Sequence, residues 1–121
     1  MIQRLVIDGR LDGLNEYVNA CRTHAMVGAR VKKENQEFVE RYIQIEKIKP
    51  AKTPVHIVFS WYEKNKRRDK DNIASAKKYI LDALVKQGII KNDTWDCIQG
   101  FEDKFCIDKE NPRVCVDIME V

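Results

Sequence analysis

Apolar positions along the chain alternate between two periods, and each change of period marks an element. Ile2–Asp8 alternates roughly as a half-buried strand does and stops at Gly9, with Asp12-Gly13 marking a turn. Leu14, Tyr17, Val18, Cys21 and Ala25 then recur at helical spacing, and a second helical stretch carries Phe38, Val39, Tyr42 and Ile43. Gly28 either separates two helices or weakens a single long one. Residues 47–54, KIKPAKTP, hold two prolines and no periodicity, so they predict a connection. Val55–Tyr62 (VHIVFSWY) is rich in β-branched and aromatic residues and predicts a strand. Ile98–Ile107 and Arg113–Val121 predict a closing pair of strands joined by a turn around Asn111-Pro112. The order strand, helix, strand, helix, strand, strand predicts an α+β fold: one small two-layer domain over residues 1–121, with a mixed sheet and two main helices. No internal repeat or low-complexity segment interrupts it.

The second helical region opens at Asp71. Set on a wheel of ~100° per residue, Ile73, Ala76, Ile80, Ala83 and Leu84 gather on one side, which predicts the buried face. Asp71, Ser75, Lys78 and Asp82 gather on the other, and Lys77 falls at the edge of the buried side. Such a polar stripe arises on any amphipathic helix. Acids near a helix start are favourable in their own right, and Lys78 with Asp82 is an ordinary i,i+4 pair.

Composition narrows the function classes. The chain is 44% hydrophobic and 34% charged, which suits a folded protein and not a disordered one. A net charge of only +3 excludes a global polycation, so attraction to nucleic acid has to come from local clusters. No apolar run is long enough to span a bilayer, so no membrane partner is expected, and the first residues lack the apolar core of a signal peptide. Cys21, Cys97, Cys106 and Cys115 form no CxxC pair, and neither His24 nor His56 stands at ligand spacing. Reduced thiols in a cytoplasmic protein are the expectation.

One short stretch is unusual: Asp69 and Asp71 stand two residues apart among Lys64, Lys66, Arg67, Arg68 and Lys70. A solvated loop of mixed charge accounts for it, and so does a metal site placed where a phosphate backbone docks. Carboxylates suit hard cations such as Mg²⁺ or Mn²⁺, and the surrounding cations suit phosphates. Asp82 lies ~16 Å beyond Asp71 along a helix axis, too far to share an ion with it, and reads as structural. Lys78, ~10.5 Å along, leans back toward the helix start and is the lysine that can approach a phosphate held near Asp71.

Asp69-Lys70-Asp71-Asn72 opening a helix, Lys78 on it, then Asp82-Ala83-Leu84 and Asn92-Asp93 after the next turn together resemble the RusA-like Holliday junction resolvases. The likeness is strongest over residues 67–96 and weak before residue 50. Three additional residues separate Asp71-Asn72 from the lysine, and Asn92 stands where an aspartate is common. The resemblance implies a homodimeric, Mg²⁺-dependent endonuclease (Mn²⁺ substituting) that resolves four-way DNA junctions by paired nicks. The products would carry 5′-phosphate and 3′-hydroxyl ends. It implies Asp69, Asp71 and Asp93 as catalytic, metal-binding carboxylates and Lys78 as the essential cation. Lys64, Lys66, Arg67, Arg68 and Lys70 are then expected to contact DNA, with a second patch at Arg30, Lys32 and Lys33. Two other readings stand beside it: an accessory module that binds junctions without cutting, and a metal-dependent ribonuclease. Trp61, Tyr62 and Trp95 flank the site as core residues or as base-stacking platforms, and Asn72 either caps a helix or orients a carboxylate.

Overall fold

The computed structural model describes all 121 residues, and its sheet is built around one strand. β2 (Val55–Glu63) is buried along nearly its whole length, and only His56 and Tyr62 escape full burial, as a strand with neighbours on both edges requires. β1 (Ile2–Asp8), β3 (Ile98–Ile107) and β4 (Arg113–Glu120) complete a four-stranded sheet in the order β1-β4-β2-β3. β4 runs antiparallel to both β1 and β2, whereas β3 runs parallel to β2. The sheet is therefore mixed, and the α+β class and the order of elements are those read from the sequence.

One expectation fails. β3 and β4 follow one another along the chain but do not pair, because β2 lies between them. The connection 108–112 crosses the end of β2, where Asp108 N–H donates to the Glu63 carbonyl and Gly9 N–H to that of Pro112. Hydrophobicity accounts for this: β2, with Val55, Ile57, Phe59 and Trp61 in the core and Val58 buried behind them, takes an inner position, and the more polar β3 is left at the edge.

Each predicted helical region is two segments. α1 (Leu14–Thr23) and α2 (Ala25–Ile45) separate at His24, whose extended backbone ends the first helix and whose Nδ1 accepts from Met26 N–H to begin the second. Gly28 is not the break. It lies within α2 where α1 passes so close that a Cβ would meet Cys21 Sγ at 2.3 Å and Cys21 Cα at 3.2 Å. α3 (Lys70–Ala74) and α4 (Lys77–Lys86) are joined by Ser75 and Ala76, which keep right-handed backbone angles. The turn there is tightened by i,i+3 bonds, Ala76 N–H to Ile73 O and Lys78 N–H to Ser75 O, while Ser75 Oγ donates to Asn72 O.

The helices cover one face of the sheet. Ile73, Ala76, Ile80, Ala83 and Leu84, the predicted buried face, join Val39 and Ile43 of α2 and Ile57, Phe59, Trp61, Val116 and Ile118 of the sheet in one core. The other face is dressed with polar side chains, Arg4 on Asp117 and the Arg113 guanidinium over the Tyr62 ring. Cys97 and Cys115 are core thiols, whereas Cys21 and Cys106 are exposed, and all four are free.

Replacing Gly28 with alanine tests the α1–α2 contact. Alanine gains helix propensity of about 1 kcal/mol, yet the clash with Cys21 should outweigh it, lowering the melting temperature by several degrees. In a Cys21→Ala background the loss should shrink or reverse. A higher melting temperature for Gly28→Ala in the native background would contradict this packing.

Candidate active site

Two buried anchors hold the segment between β2 and α3. Arg68 turns inward from the basic run and makes a bidentate pair with Glu63 at 3.0 and 2.9 Å. It also donates to the Leu11 carbonyl at 3.0 Å and lies 3.6 Å from Glu16 of α1. Both Arg68 and Glu63 side chains are only 11% exposed. Arg68, expected among the phosphate contacts, is therefore a structural tie, since a guanidinium committed to a buried carboxylate is not free for phosphate. The second anchor is Asn72, buried beneath α1. Its Oδ1 accepts from Asn15 N–H at 2.8 Å, capping a helix far away in sequence. Gly13 permits this, because a Cβ there would lie 2.6 Å from that oxygen and 2.7 Å from the Asn72 carbonyl.

Between these anchors the aspartates face outward. Asp69 caps the start of α3 without a side-chain hydrogen bond, and Asp71 Oδ1 accepts from Asn72 N–H. Both line a cavity of about 720 Å³ that Lys66 and Lys70 also border, and Phe105, Cys106 and Ile107 of β3 form its far wall. Neither aspartate makes an ion pair, although Lys64, Lys66, Arg67 and Lys70 are close in sequence, exposed and likewise without ion pairs. Lys70 instead leans over the Phe105 ring, 5.5 Å from its centroid.

Lys78 belongs to a second cluster. Its ammonium lies 3.0 Å from Asp82 and 3.1 Å from Asp93, and Lys32 of α2 reaches the same Asp82 at 3.7 Å. Hydrogen bonding to Asp82, then to Asp93, raises the Lys78 pKa above its ordinary value. A raised lysine pKa stabilises the fold below the unfolded-state value and ceases to do so as pH rises through the raised one. The Lys78 tie therefore persists through neutral pH and loosens only in strong alkali. Lys77 points the other way, into an aromatic pocket: it bonds Asp103 at 2.7 Å and sits over the rings of Phe101 and Phe59. Asp103 also accepts from Trp61 Nε1 at 2.9 Å. This partly buried pair went unread in the sequence; the inward phase of Asp103 between Phe101 and Phe105 was its only signal.

The structure thus brings Asp69, Asp71, Lys66 and Lys70 to one cavity, and Lys78, Asp93, Asp82 and Lys32 to another cluster. No group of three or more His, Cys, Asp or Glu side chains stands close enough to hold one metal ion. Asp69, Asp71 and Asp93 accordingly do not form a closed cage. Charge explains this: bare carboxylates ~4 Å apart repel by about 4 kcal/mol at an effective dielectric of 20, and Asp93 takes Lys78 instead. The Asp69–Asp71 pair does suit Mg²⁺ or Mn²⁺, since Mg²⁺ commonly takes one or two carboxylates and completes its shell with water and substrate phosphate. Of the aromatics, Trp61 is core, Tyr62 lies under Arg113, and Trp95 is 98% exposed. Arg30 is exposed, and Lys33 pairs loosely with Glu37 at 3.9 Å. No helix is long and apolar enough to cross a membrane. No protein-family model matches the chain, and no curated protein matches it either.

The contrast between adjacent arginines is testable. Arg68→Ala leaves Glu63 buried without a partner and should cost about 3–5 kcal/mol of stability, whereas exposed Arg67→Ala should stay within about 0.5 kcal/mol of the parent. Urea unfolding followed by circular dichroism separates them. Equal midpoints for the two variants would remove Arg68 from its structural role.

Proposed function

We propose that this chain is a metal-dependent, structure-specific endonuclease that nicks four-way DNA junctions as a homodimer, in the manner of the RusA-like resolvases. The observation that carries the reading is the pair Asp69 and Asp71, unpaired in a cavity edged by free lysines. Exposed aspartates often stand without an ion pair. What supports the reading is that these two share one cavity with Lys66 and Lys70 and engage neither, an arrangement that suits a cation on one set and a phosphate on the other.

Each residue then has a task. Lys64, Lys66, Arg67 and Lys70 draw a phosphodiester to the cavity mouth, and Arg68 and Asn72 hold the loop so that they arrive in a fixed arrangement. Asp69 and Asp71 would hold Mg²⁺ or Mn²⁺, which when bound supplies Lewis-acid activation of water and charge neutralisation at phosphate. Lys78 and Asp93 stand in the second cluster, so their part in the reaction requires the bound DNA to bridge both. Lys78 would then exchange Asp93 for a phosphate oxygen and stabilise the charge that accumulates in the transition state, and the released Asp93 would be free to orient a water. Asp82 keeps one hydrogen bond to Lys78 throughout and so positions it. Lys32, on the same Asp82, extends the basic track toward Arg30 and Lys33 on α2. A junction has approximate two-fold symmetry, so two cuts call for two copies of the chain. The accessory-module reading accounts for the basic loop and leaves the bare aspartates without a purpose.

Asp71→Asn keeps shape but removes a negative ligand. Single-turnover cleavage should fall by orders of magnitude, while junction affinity in chelator, read by gel shift, should hold or rise because a charge that repels phosphate is gone. Cleavage at the parent rate would transfer support to the accessory-module reading. The two lysines should separate by readout. Lys78→Ala should cripple cleavage with little change in melting temperature. Lys77→Ala should lower the melting temperature by stripping Asp103 of its partner, yet leave cleavage by the folded fraction within a few-fold of normal. The opposite pattern would reassign the essential lysine.

A further inference from the structure

β3 is an edge strand. It pairs with β2 along one side and with no strand along the other. Over ten residues it exposes about half of Phe101 and of Ile107, although edges of this length are usually shortened, covered or heavily charged. Its odd-numbered residues share the helix-covered face with Phe59 and Trp61, and its even-numbered residues lie opposite Val58, Ser60 and Tyr62 on the open face. A bulge near Gln99 leaves Gly100–Cys106 as the regular run.

Two copies of one strand that pair antiparallel across a two-fold axis have few registers available. Opposed residues must both turn their backbone groups toward the partner or both turn them away, so the residue numbers of opposed positions sum to an even value. A register centred on Asp103 opposes Phe101 to Phe105 and Glu102 to Lys104, each pair occurring twice, and Gly100 to Cys106. Aromatic pairs and opposite charges are the favourable cross-strand combinations. Centring on Glu102 sets that acid against itself and Phe101 against Asp103. Centring on Lys104 sets lysine against lysine and Asp103 against Phe105. The Asp103 register has one apparent fault, the meeting of two copies of Asp103. Each already accepts from Lys77 at 2.7 Å and from Trp61 Nε1 at 2.9 Å, so neither meets the other bare.

We propose that a second copy of this chain docks along β3, antiparallel and centred on Asp103, joining two four-stranded sheets into one. The expectation of a two-fold dimer rests on the junction reading; the surface and register come from β3 itself. The site is affected directly. Phe105 and Cys106 form part of the wall of the Asp69–Asp71 cavity, and in this register the partner's Phe101 and Gly100 lie against them. The cavity is then lined from both copies, and the two-fold axis fixes the relation of the two sites.

Sedimentation equilibrium of the full chain, with circular dichroism as a check on folding, tests the register. Glu102→Lys and Lys104→Glu should each weaken self-association about tenfold or more, since each turns two attractive pairs into repulsive ones. The double variant should recover the parent affinity, because the exchanged charges again face each other. Independently of charge, Gly100→Cys in a Cys21→Ser background should oxidise to a covalent dimer through Cys106, and adding Cys106→Ser should abolish it. A monomeric parent at tens of micromolar overturns the proposal, as does a dimer indifferent to both reversals, a double variant that fails to recover, or no disulfide. Junction nicking by the same samples keeps the two readings distinct. A β3 dimer that does not cut faults the nuclease reading alone, and a cutting enzyme whose association ignores β3 faults this interface alone.

Discussion

The buried pair between Arg68 and Glu63 is the constraint on which the site depends. Glu63 ends the central strand, Arg68 lies five residues on, and the same guanidinium reaches the Leu11 carbonyl and Glu16. One side chain thus fastens the end of β2, the chain leading into α1 and the loop that carries the aspartates. Asn72 closes the other end of that loop by capping α1 through Asn15 N–H. Both ends of the loop are thus fixed against the first helix, and between them Asp69 and Asp71 stand exposed and without ion partners, open to a cation from outside.

The charges that are paired are equally informative. Lys77 and Lys78 are adjacent and chemically identical, yet one is sunk among Phe59, Phe101 and Asp103 while the other, 60% exposed, bridges Asp82 and Asp93. Partial burial makes the first a structural element, tied to a partner that also holds Trp61 Nε1. Exposure lets the second exchange partners at modest cost, which suits the phosphate-engaging role proposed for it. The tightened turn at Ser75-Ala76 sets the phase that assigns the two lysines to these different places.

Periodicity made much of this legible. The strands, the buried face of α4 and the outward phase of Lys78 follow from local patterns of 2 and 3.6 residues, and those patterns survive in the fold. What escaped depends on contacts between distant segments. That β2 separates β3 from β4 is a matter of strand order, which no local pattern encodes. His24 rather than Gly28 ends α1, because Gly28 answers to a neighbour, Cys21, visible only once the helices pack. Arg68 looked like its basic neighbours until Glu63 and Leu11 were seen to claim it. Asn72 resolved toward capping, of a helix fifty-odd residues earlier in the chain. The carboxylate set was legible as residues but not as an assembly, since Asp93 pairs with Lys78, fifteen residues earlier in the chain, and not with the Asp69–Asp71 cavity.

The claim at the centre of this account is that the bare aspartates at the cavity serve phosphodiester hydrolysis at branched DNA. Incubating the native chain with a synthetic four-way junction and with a linear duplex of the same arms, each with Mg²⁺ and with chelator, tests it most directly. The account predicts paired nicks near the branch point with Mg²⁺ alone, ligatable ends, and no comparable cutting of the duplex. Tight junction binding with no cleavage under either Mg²⁺ or Mn²⁺ would contradict it.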